Sequence, residues 1–147
     1  MYAELACRSN YSFLEGASHP EELVFQAARL GLSALGLTDG DGVYGAVKAH
    51  LAAREVGLPL LHGARITLTD GPPLLVYVQD LEGYRHLCQV LSQSRLAHPK
   101  GEAGVGWRAE VNVRYHRTTT YCHVTCEQCR IPTWASSAEQ PWWPERG

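Results

Sequence analysis

The stretch ALGLTDGDGVYGAVKAH, residues 34–50, decides the fold. Residues 34–38 are apolar or small without interruption, as a buried strand requires. A glycine-rich turn follows, and residues 45–56 then read as a helix with Val47, Leu51 and Ala52 inward, closed by Gly57. Working back toward the start, residues 2–7 read as a strand and lead into a polar loop ending in Gly16-Ala17-Ser18. A helix is expected there, with Ser18 as cap, Glu21 completing a capping box and Pro20 in the first turn. Leu23, Ala27 and Leu30 share one of its faces, and Gly31 ends it. Working forward, residues 58–61 and 64–68 read as two extended segments separated by Gly63. Residues 69–72 mark a turn, residues 74–78 a further strand, and Asp80 caps a last helix carrying Tyr84, Leu87, Cys88 and Leu91.

Strands alternating with helices through short loops imply an α/β fold: parallel strands with outer helices, doubly wound or rolled into a barrel. In either arrangement chemistry gathers past the C-terminal ends of the strands. Residues 6–9, 39–42 and 62–65 occupy those places.

The chain has 147 residues, 45% of them hydrophobic, which is enough for one domain with a buried core. A net charge of -2 and only two lysines argue against a stand-alone nucleic-acid binder, because such proteins gather cations to displace phosphate counterions. The start, MYAELACRSN, lacks the pattern of a signal peptide, and no run approaches the roughly 20 apolar residues of a membrane span, so a cytoplasmic location without membrane partners is expected. Five unevenly placed cysteines suggest free thiols rather than a disulfide framework.

Composition changes near residue 100. From residue 101 to 147 there is no Leu, Lys, Asp, Phe or Met, while all four tryptophans (Trp107, Trp134, Trp142, Trp143) and three of the five cysteines fall there. The expected division is a packed unit over residues 1–100 and an irregular tail over 101–147. Translation out of frame, beginning between about codons 101 and 110, produces such a change, because composition is then set by nucleotide content instead of by burial.

The stretches YAELACRSNYSFLEGASHPEELV, ALGLTDGDGVYGAVKAH and GLPLLHGARITL, in that order and spacing, resemble the N-terminal PHP (polymerase and histidinol phosphatase) domain of bacterial C-family DNA polymerases. NYSFLEGASHPEEL is most similar to the error-prone branch, and the resemblance runs to about residue 100. It implies part of a barrel of strand-helix units with a metal cluster at the strand ends. Family ligands correspond here to Ala6 and Arg8 in the first motif, Gly40 beside the retained Asp39 in the second, and Arg65 in the third. One carboxylate and two permanently charged guanidiniums in place of imidazoles and carboxylates make an intact metal site untenable, so no metal or catalytic residue is expected in this chain. An ion pair between Asp39 and Arg8 or Arg65 is one expectation for what replaces the metal, and arginines directed to solvent the other.

Further signals are weaker. Cys122, Cys126 and Cys129 have the Cys-x3-Cys-x2-Cys spacing of some iron-sulfur sites but sit in a tail of abnormal composition; with His116 or His123 they offer a zinc knuckle as the alternative to coincidence. Gly40, Gly42 and Gly45 suggest a phosphate loop but lack its lysine and hydroxyl, and a turn suffices. His19, His50, His86 and His98 share no ligand spacing, and Cys7 and Cys88 read as small buried apolar residues.

The resemblance implies a structural, non-catalytic segment of a polymerase, partnered by the palm and thumb of the remainder and meeting DNA only through it. Templated nucleotidyl transfer in replication and translesion repair, with magnesium as cofactor, would belong to that remainder. The competing expectation is a small stand-alone metal-dependent phosphoesterase.

Overall fold

The computed structural model describes residues 2–106 in full and residues 113–118 and 121–126 as backbone. Strands β1 (Ala3–Cys7), β2 (Ala34–Gly40) and β3 (Leu60–Ile66) alternate with helices α1 (Pro20–Arg29) and α2 (Ala46–Val56). Strand β4 (Leu74–Tyr77), helix α3 (Leu81–Ala97) and strands β5 (Val113–Thr118) and β6 (Tyr121–Cys126) follow. The sheet order is β1-β2-β3-β4-β6-β5. Strands β1, β2 and β3 are parallel, as the strand-helix alternation requires. Strand β4 departs from the all-parallel expectation and runs antiparallel to β3. The physical reason is length: residues 67–73 connect the two strands, too few for a crossover of about a dozen residues.

Alternation assigns the faces. Leu35, Leu37 and Leu60 pack under α1 and α2, while Ala64, Ile66, Leu74 and Val76 join Leu87 and Leu91 of α3. The opposite face is concave. The Tyr77 hydroxyl on β4 donates to the Leu5 carbonyl on β1 at 2.5 Å. In a flat sheet three strand spacings would separate them by about 14 Å, well beyond a tyrosine side chain, so the sheet curls into part of a barrel. Strand β3 is continuous through Gly63, where two segments were expected, because a Cβ there would overlap the Val76 carbonyl oxygen.

Three helix expectations shift. The cap of α1 is His19, not Ser18, and Glu22, not Glu21, accepts the cap amide at 2.8 Å. Its buried residues are Pro20, Val24 and Ala27; Leu30 points outward at the C-terminal end. On α2 the expected inward Val47 and Leu51 are 67% and 59% exposed, and Ala46, Ala49, Ala52 and Ala53 face the core. Methyl-sized side chains let α2 sit close to both the sheet and α1, a packing that outweighs the burial of two larger groups. Gly31 and Gly57 take the left-handed conformation expected of them, and Asp80 caps α3 by accepting the Gly83 amide at 2.7 Å.

The packed body continues past residue 100. Val105 is 2% exposed, donates to the Thr67 carbonyl and accepts from the Thr69 amide, both at 3.0 Å. Strands β5 and β6 form an antiparallel pair joined to β4 through β6, and the rest of the expected tail lies outside the described residues. Their Val, Tyr and Thr content suits extended backbone. Among the described residues no helix is long and apolar enough to cross a membrane.

Candidate functional site at the strand ends

Cys7, the last residue of β1, packs toward the helix layer, and Arg8 directly after it turns to Glu15 at the mouth of the sheet. Leu37 on β2 also faces the helices, which places Asp39 on that side and Gly40 on the concave side. The β2–β3 register sets Gly40 beside Arg65. Arg8, Arg65 and Gly40 thus lie at the mouth of the curled sheet, the two arginines brought together through a shared carboxylate.

What fills the mouth is Glu15, which the sequence reading did not single out. Its two carboxylate oxygens accept from Arg8 at 2.9 Å and Arg65 at 2.8 Å. All three side chains are between a quarter and about a third exposed. The expected pair between an arginine and Asp39 is not formed, and the alternative of two solvent-directed arginines is not seen either. The reason lies in the strand pleat: Asp39 points to the helix layer and the guanidiniums to the concave face. Glu15 reaches them from the loop after β1. Gly16 permits that path, since a Cβ on it would overlap the Ser9 carbonyl.

Asp39, 1% exposed, is saturated by other donors. It accepts from the Ser9 amide, the Ser9 hydroxyl and the Ser12 hydroxyl, each at 2.7 Å. Both serines are buried, and each hydroxyl accepts in turn: Ser9 from the Tyr11 amide at 3.2 Å, Ser12 from the Gly40 amide at 3.0 Å. The carboxylate thus pins the β1 loop to the end of β2, a closed network typical of a structural buried charge. The signal available in the sequence was the pair of hydroxyls at Ser9 and Ser12, directly after a strand.

Around this centre the Gly40–Gly42–Gly45 stretch is a turn, as read. Asp41, at φ 46°, accepts from the Thr67 amide and hydroxyl at 2.8 and 2.7 Å, and its carbonyl accepts from Arg95 at 3.1 Å. His50 does have a histidine partner. Its Nδ1 lies 3.3 Å from His62 Nε2, and burial together with His50 pushes the His62 ring down to about 4. His19 meets Asn10, His86 meets Glu82 and His98 meets the Ser94 carbonyl. Cys7 and Cys88 are free thiols, and burial raises Cys7 above the usual thiol range. Among the described residues, no three His, Cys, Asp or Glu side chains converge as a metal-binding group. Cys129 lies outside the described residues. Cys122 and Cys126 lie on β6.

A curled, largely parallel half-barrel with helices packed on one face is the architecture of a PHP domain. The family model for the PHP domain matches residues 4–142, and the chain belongs to that family. Among relatives, the error-prone DNA polymerase of Ralstonia nicotianae is 52% identical over 106 residues, 69% of this chain and 10% of that protein. The error-prone DNA polymerase of Anaeromyxobacter sp. (strain K) is 52% identical over 111 residues, 72% of this chain and 9% of that protein. The chain thus spans about a tenth of the length of these relatives. Among solved structures, a Bifidobacterium adolescentis protein described as a metal-dependent phosphoesterase is 31% identical with a TM-score of 0.55, over 66% of this chain and 34% of that one. An amidohydrolase from Chromobacterium violaceum, with bound sulfate and no metal, gives 27% and 0.53 over the same shares.

Proposed function

We propose that this chain acts as a structural, non-catalytic PHP segment of an error-prone DNA polymerase, packing beside the palm and thumb of the remaining chain. The observation that carries the reading is the Arg8–Glu15–Arg65 clamp, which occupies the strand-end mouth with two guanidiniums where cations would need imidazoles and carboxylates. Templated DNA synthesis, its magnesium ions and contact with DNA belong in this reading to the remainder, in the cytoplasm. The curated relatives support the parent assignment.

The likeness to a metal-dependent phosphoesterase favours a second reading, hydrolysis of a phosphate ester by metal-activated water. The test is metal content and turnover of a generic phosphate ester by the purified, dialysed chain. The structural reading expects far less than one zinc, manganese or iron per chain and no hydrolysis. Stoichiometric metal with turnover would overturn it in favour of the phosphoesterase; zinc lost on Cys126→Ser would instead trace to β6. Reading the DNA downstream of codon 101 in the other two forward frames tests the out-of-frame origin of the leucine-free segment. Restored leucine-rich helices and barrel motifs are expected. If neither frame continues the family, the out-of-frame account fails and the segment is a genuine part of the chain.

A further inference from the structure

Two large apolar residues stand almost fully in solvent beside the clamp. Phe13 is 85% exposed and Leu14 is 89% exposed, and Leu14 adopts φ 63°, a left-handed backbone that disfavours any side chain. Chance exposure of single apolar residues is ordinary, but a consecutive exposed pair of which one member holds an unfavourable backbone conformation is not. Both flanks of the pair are fixed. On one side the Ser12 hydroxyl donates to Asp39 at 2.7 Å, and the Ser12 amide donates to the Ser9 carbonyl at 2.9 Å. On the other, Glu15 is held by Arg8 and Arg65, and the Glu15 and Gly16 amides both donate to the Ser12 carbonyl at 3.0 Å. Tyr11 and Tyr44, 41% and 62% exposed with ring centroids 6.4 Å apart, extend the apolar surface at its base.

We propose that Phe13-Leu14 is a preorganised apolar finger that inserts into a pocket of the polymerase chain beyond the PHP segment, and that the Arg8–Glu15–Arg65 clamp holds it outstretched. The proposal rests on the polymerase reading above. A finger ordered before docking loses little entropy on insertion, which is the use of two separate anchors on so short a loop. The occupant is protein rather than nucleic acid, because the chain carries a net charge of -2 and two lysines. An aliphatic tip also suits a close-packed pocket better than a stacked base. About nine-tenths of the length of the polymerase relatives lies outside the region this chain matches, which supplies the covering partner.

The test is a full-length chimera in which residues 1–106 of this chain replace the matching segment of the Ralstonia polymerase, with a benzophenone amino acid in place of Phe13. Irradiation should join position 13 to residues of the same polypeptide beyond the PHP segment, and Glu15→Ala, which frees the finger, should reduce that yield several-fold. A chimera that extends no primer overturns the polymerase reading and this proposal with it. An active chimera whose position 13 joins to nothing, to the primer-template or to a second polypeptide overturns the proposal alone. In the 147-residue chain, Phe13→Asp with Leu14→Asp should leave the melting temperature within about 2 °C of the parent. A larger fall would show that the pair belongs to the chain's own core and would equally overturn the proposal.

Discussion

Replacing Asp39 by alanine removes the acceptor that three donors share. Hydrogen bonds to an ionised group contribute roughly 1.5–3 kcal/mol each, and a buried polar group left without a partner costs about 1–3 kcal/mol. Ser9 and Ser12 are 0% and 4% exposed, so water cannot freely take the place of the carboxylate. Their hydroxyls are further constrained by accepting from the Tyr11 and Gly40 amides. The three bonds form one network and do not add, which puts the expected loss at about 4 kcal/mol. That is a large part of a total stability of roughly 5–15 kcal/mol. Asp39→Asn keeps one acceptor oxygen but turns an amide donor toward a hydroxyl that must already donate, and should cost about half as much. Urea denaturation followed by circular dichroism measures both, and amide exchange should rise first across residues 9–16. If Asp39→Ala falls within about 1 kcal/mol of the parent, the carboxylate is not the anchor of the β1 loop and the reasoning is wrong.

Three other outcomes are expected. Glu15→Gln should lower stability by less than about 1 kcal/mol at low salt and by almost nothing in 1 M salt, because all members of the clamp are partly solvated; a salt-independent loss above 2 kcal/mol would contradict this. The His62 ring is held down to about 4 in the folded state against 6.5 unfolded, so the unfolded chain takes up the proton first as pH falls. Stability should therefore be full above pH 6.5 and decline toward pH 4, and His62→Gln should flatten that decline in a series of urea midpoints; an unchanged slope would refute the assignment. Gly16→Ala should cost about 1–3 kcal/mol, since its Cβ would overlap the Ser9 carbonyl, with calorimetry as the check and a neutral result as the refutation.

The strand-helix order, the glycine helix ends at Gly31 and Gly57, the Asp80 cap and the three strand-end stretches were legible along the chain, because these follow from local periodicity and backbone preference. The pairing of β2 with β3 set Gly40 beside Arg65. The partners of the charges emerged only when the strands and loops came together. Asp39 pairs with Ala64, one residue before Arg65, so Asp39 and Arg65 point to opposite faces, and pleat parity is meaningful only once both strands share a sheet. Glu15 meets Arg65 across a separation of 50 residues, which no local pattern encodes. The rotation of α2 was likewise settled by contact: periodicity nominated Val47 and Leu51, but the closest approach of two helices and a sheet admits only the alanine face. The direction of β4 turned on the length of the chain before it, and the curl of the sheet on one tyrosine reaching across from β4 to β1. These are long-range steric and electrostatic choices, made when the elements meet rather than when each one forms.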